Sequence, residues 1–180
     1  MNDTFDEGQS APIPLEIAEF FQQVFDLVRR GDAQQLQSLL GKGLPANLCN
    51  QKGDSLLMLA SYHGHHAAAR ALLSAGADPE MRNDQGQTPI LGAAFKGDTE
   101  MVELLLEFGA DIESAGPAGK TTLMMAAMFG RTELVNLLLT RGADLHARDV
   151  NGLSVVDAAR LMGDGETASQ LEALLLAVPE

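Results

Sequence analysis

The chain has 180 residues and a formal net charge of −13, which repels nucleic acid and anionic membrane surfaces and argues against either as a partner. Aromatic content is 4% with no Trp, as expected of a core built from thin Ala and Leu layers, and no apolar run approaches the length of a membrane span. A single cysteine, Cys49, rules out an intrachain disulfide and fits a reducing compartment.

In chain order, residues 1–12 are small, acidic and unpatterned, and read as a disordered tail. Asp3, Asp6 and Glu7, with no basic residue before Arg29, do not read as a secretory signal, so a cytoplasmic protein is expected. Pro14 opens a helix running to about Arg30, with Ile17, Phe20, Phe21, Val24, Phe25 and Val28 at helical spacing. Phe20 and Phe21 are expected to cover an open end of the molecule. Gly31-Asp32 breaks this helix, and Leu36, Leu39 and Leu40 belong to its partner.

From there the chain repeats every 33 residues. Gly53, Gly86, Gly119 and Gly152 form one series. Gly64, Gly97, Gly130 and Gly163 form a second, and Gly76, Gly109 and Gly142 a third. In the unit Asn83–Ala115, Thr88-Pro89 starts a short helix, with the Thr hydroxyl placed to accept from a free backbone N–H. Gly97 stops it, Thr99 to Glu107 forms a second helix, and Gly109 ends that one in a left-handed conformation. Each unit has one buried stripe, so neighbours must stack. Unit boundaries fall at 50–82, 83–115 and 116–148, flanked by an N-terminal cap over 13–49 and a C-terminal cap over 149–178. In the last unit Thr167 and Ala168 replace Leu134 and Val135, a loss of pattern suited to a cap.

The recurring G-x-T-P-x-x-x-A-A-x-x-G-x-x-x-x-V-x-x-L-L-x-x-G-A-D resembles the ankyrin repeat over roughly residues 20–176. The resemblance implies an all-α repeat solenoid of stacked helix-turn-helix units joined by β-hairpin turns. One departure stands out. Where the family usually has His, three places after the Thr, this chain has Met58, Leu91, Met124 and Asp157. The bonds that His makes between loops must be made otherwise.

Catalysis needs acid, base or nucleophile groups converging on a pocket. The chain has no G-x-S-x-G, P-loop, H-E-x-x-H or C-x-x-C pattern, so no catalytic residue, cofactor or metal is expected. Gly116 to Thr121 lacks the glycine spacing of a phosphate loop. His63, His65 and His66 lie close in sequence, but His65 belongs to the repeat pattern. Asp78, Asp111 and Asp144 recur at one point of the unit and are expected to bond their own turns.

The family binds proteins, and the two residues before the Gly that ends each first helix face its groove. Here these are Arg29 and Arg30, Tyr62 and His63, Phe95 and Lys96, Met128 and Phe129, and Leu161 and Met162. The turn tips add Lys52, Arg82, Lys120 and Arg148. The expected function is a non-catalytic adaptor or stoichiometric inhibitor that is monomeric when free and holds another protein on this face. A scaffold linking two proteins is one alternative, and a small-molecule binder or enzyme with a deep pocket near Tyr62, His63 and His65 is another. Failing the concave face, the partner would sit on the acidic outer face around Glu100, Glu103 and Glu107.

Overall fold

A computed structural model describes residues 14–163 and 165–177. The tail expected over 1–12 and the last residue of the C-terminal cap lie outside them. The helices are α1 (Leu15–Arg30), α2 (Ala33–Gly41), α3 (Leu56–Tyr62), α4 (His66–Ser74) and α5 (Pro89–Lys96). There follow α6 (Thr99–Glu107), α7 (Thr122–Met128), α8 (Thr132–Thr140), α9 (Val155–Leu161) and α10 (Gly165–Ala177). The odd-numbered helices stack on one another in one row and α2, α4, α6 and α8 in a second, while α10 packs mainly on α9. No strand occurs among the described residues, but antiparallel bridges Cys49–Ser55, Ala115–Thr121 and Arg148–Ser154 close the projecting turns.

The repeat is written in its caps. Ser55, Thr121 and Ser154 accept from the backbone N–H groups of Met58, Met124 and Asp157, and the Asp157 carboxylate accepts back from the Ser154 N–H. Thr88 departs from the expected cap. Its hydroxyl shares a buried hydrogen bond of 2.8 Å with Ser114 and caps nothing. Pro89 at the first helical position fixes the helix entry in its place. Asp32 and Asp98 cap α2 and α6 by accepting from Gln35 and Met101.

Gly97 illustrates why each first helix ends on glycine. Its φ is +74°, and a Cβ there would lie 2.5 Å from Cδ of Arg131, which crosses over it to donate to the Phe95 carbonyl. Two repeats earlier, His65 crosses Gly31 and donates from Nε2 to the Arg29 carbonyl at 2.8 Å. These crossings bind neighbouring repeats.

One continuous core runs the length of the stack, with Leu72, Leu105, Leu138 and Leu171 spaced one repeat apart and fully buried, and Leu36 of α2 buried beside them. Ala60, Ala93, Ala126 and Ala159 let the odd helices approach closely. At the C-terminal end Thr167, Ala168 and Leu171 face inward, while Leu174 and Leu176 stay exposed.

A concave groove and its two edges

The odd helices and the projecting turns enclose a groove of about 1170 Å³ running from α1 to α7. Its floor follows from helical spacing. Positions three, four and seven after each cap project the same way, giving Met58, Leu59 and Tyr62 on α3, Leu91, Gly92 and Phe95 on α5, and Met125 on α7. One repeat earlier the same register on α1 gives Phe25 and Arg29. Because α1 starts early, Ala18, Phe21 and Gln22 continue the floor where a regular unit would have its turn. Phe21 therefore faces the groove, whereas Phe20 lies at the N-terminal end beside Arg30 and Leu39.

The opposite wall is made of turns, each stiffened by one side chain. Asn50 Oδ1 accepts from the N–H groups of Lys52 and Asp54, and Asn83 Oδ1 from those of Gln85 and Gln87. Asp149 does the same for Asn151 and Leu153. Gly116 occupies this position in the third turn, without a side chain. Successive turns are tied by Asn83 Nδ2 donating to Asp54 Oδ1 at 2.8 Å and by the Asp84 N–H donating to the Lys52 carbonyl at 3.1 Å. These bonds take the place of those the absent histidine would make. A second ladder runs beneath. Asn47, Glu80 and Glu113 accept from the backbone N–H groups of Asp78, Asp111 and Asp144 at 2.8, 3.0 and 2.7 Å. Each of these Asp side chains accepts from the N–H two residues on, as expected.

Of the residues singled out from sequence, Arg29, Lys52, Tyr62, His63 and Phe95 line the groove. Lys96 sits at its edge with Nζ 4.3 Å from the centre of the Tyr62 ring, and Phe129 meets Phe95 edge-on with ring centres 4.7 Å apart. Met128 is half-buried, and Leu161 and Met162 are exposed at the end of α9. Three turn-tip cations are engaged in the fold. Arg82 donates to the carbonyls of Gly86 and Ala115, Arg148 donates to Gly152, and Lys120 pairs with the buried Asp149 carboxylate at 2.8 Å. That bond with Lys120, with the N–H groups of Leu153 and Asn151, holds the Asp149 pKa down at about 2.

Phe21, Phe25, Met58, Leu91 and Met125 are floor residues that the sequence reading did not place here. Part of the signal was present, since Met58 and Leu91 replace the usual His four residues before Tyr62 and Phe95, whereas Phe21 and Met125 stand at other positions. Burial, then the charges of His65, Arg29 and Lys96, lowers the His63 pKa below its ordinary value. Burial, then Asp54 and Asp84, raises that of the Cys49 thiol. No cluster of His, Cys, Asp or Glu able to hold a metal occurs among the described residues, and no helix there is long and apolar enough to cross a membrane. On the outer face Glu103 pairs with Arg141 and Glu107 with Arg70, while Glu100 lies 3.7 Å from His66.

The sequence profile described as ankyrin repeats in three copies matches residues 25–115 and 68–149, well over half of the chain. A Pseudomonas aeruginosa protein described as an ankyrin repeat protein is 59% identical over 58 residues, which cover 32% of this chain. The matched stretch spans 34%, about a third, of that relative. With the stacked helix pairs, the bonded turns and the 33-residue period, these matches identify the chain as a member of the ankyrin-repeat family.

Proposed function

We propose that this protein is a non-catalytic binding module that holds another protein in its concave groove, acting as an adaptor or a stoichiometric inhibitor. Ankyrin repeats generally mediate protein–protein interaction, and the family is typically non-catalytic. The observation that supports the groove is the pair of exposed aromatic side chains on its floor. Tyr62 and Phe95 are 42% and 38% exposed although each neighbours a second ring, which is costly unless a partner covers them. The groove's length across four stacked helices favours a macromolecular segment over a small molecule, since Tyr62 and His63 stand open and enclose no deep pocket. A photo-crosslinking amino acid placed at Tyr62 should capture one partner reproducibly from cells, and the same group at Glu133 on α8 should not. Capture at Glu133 with none at Tyr62 would place the partner on the outer face.

A further inference from the structure

The two edges of the groove carry different chemistry. Arg29, His63, His65 and Lys96 gather where α1, α3 and α5 end, on a chain whose formal charge is −13, while Arg30 points to the N-terminal end beside Phe20 and Leu39. Arg29 has one compensating carboxylate, Asp26 at 2.7 Å. Among the described residues no carboxylate pairs with Arg30 or Lys96. Lys96 instead lies over the Tyr62 ring, which leaves its positive charge uncancelled at the groove. Basic residues do favour helix C-termini, and Arg29 and Arg30 lie in the last turn of α1, but that preference does not consume their charge. Burial, and then the charges of His65, Arg29 and Lys96, disfavour protonation of His63.

The opposite edge carries amides and carboxylates with a single cation, Lys52. Asp54 is already bonded to the amides of Asn50 and Asn83, while Asp84, Gln51 and Gln85 are exposed. Between the edges lies the floor of Met58, Leu91 and Phe95. Charges separated by more than about 8 Å are screened at physiological salt, so the local edge and not the whole-chain charge governs what settles in the groove. From this charge pattern we infer that the partner presents an acidic, aromatic- or aliphatic-bearing linear segment. Its apolar side chains enter the floor and its carboxylates face Arg29 and Lys96. The inference rests on the protein-binding reading above and adds the partner's chemistry to it.

The test is selection of random 16-residue peptides displayed on phage against the full chain, with sequencing of the enriched pool. The expected pool is net acidic and rich in Phe, Leu or Trp. Its members lose at least tenfold in affinity with R29E/K96E, and the loss shrinks from roughly 50 to 500 mM salt. They keep their affinity with R70E on the outer face, and circular dichroism checks that both variants fold. A neutral or basic pool that is nevertheless lost with Tyr62→Ala overturns the acidic segment and leaves the groove reading standing. Peptides that bind both the charge variant and Tyr62→Ala unchanged overturn both. No enrichment at all overturns the linear segment and leaves a folded partner to be found by crosslinking.

Discussion

Replacing Gly97 by Ala separates two costs that this fold places on one residue. The first is backbone strain. At φ +74° an L side chain pays about 1–2 kcal/mol, partly offset by about 0.4–1 kcal/mol from a less free unfolded chain. The second is the crossing. The new Cβ would lie 2.5 Å from Cδ and 2.8 Å from Nε of Arg131, so that side chain must swing away and release its 3.3 Å bond to the Phe95 carbonyl. This adds roughly 0.5–1.5 kcal/mol at an exposed site. Gly109 supplies the control, because its φ is +90° and a Cβ there would meet nothing within 4 Å. Gly109→Ala should therefore cost about 1 kcal/mol and Gly97→Ala about 2 kcal/mol. In urea, with a slope of about 2 kcal/mol per molar, the two midpoints should differ by about 0.5 M. In the double variant with Arg131→Ala the clash is gone, so the two effects should be less than additive. If Gly97→Ala were no worse than Gly109→Ala, or the cycle strictly additive, the side-chain crossing would contribute nothing to the stack.

Asp149 titrates far below its ordinary value, from 3.8 to about 2, so the stability it supplies is complete above about pH 4 and lost as pH falls toward 2. The gap in urea midpoint between wild type and Asp149→Asn should close over that window; a constant gap refutes the role given to the Lys120 pair. His63 is shifted the other way relative to charge. Its folded pKa lies below 6.5, so the unfolded chain takes up the proton first and stability falls as pH drops through that value. His63→Gln should flatten this part of the profile between about pH 7.5 and 5.5, and parallel profiles would count against it. Deletion through Arg30 removes Val24, Leu27 and Val28 from the shared core and should give an aggregating chain by light scattering, whereas a well-behaved monomer would show that α1 is no cap.

Much of this architecture was legible because a repeat states its rules several times. Glycines one period apart marked where α5 and α6 end, and the observed helices Pro89–Lys96 and Thr99–Glu107 follow those marks. Thr88 shows where a local rule yields to packing. A hydroxyl suited to capping finds Ser114 of the next turn instead, a contact that sequence spacing does not reveal. The same limit applies to the groove. The resemblance to the family identified Tyr62 and Phe95, but that Lys120 is held by Asp149, and Arg82 by Gly86 and Ala115, depends on how turns of neighbouring repeats meet. The edge-on contact of Phe95 and Phe129, worth about 0.5–1.5 kcal/mol, has a further consequence. Truncating Phe95 disturbs folding as well as any binding, which makes Tyr62 the cleaner probe of the surface.

Hydrogen exchange on the chain, free and bound to the crosslinked partner prepared pure, tests the groove most directly. New protection should fall on the second half of α1, on α3 and α5, and on the turns around Asn50 and Asn83, with α4, α6 and α8 unchanged. Protection confined to α4 and α6, around Arg70, Glu103 and Glu107, would contradict the account and assign the partner to the outer face.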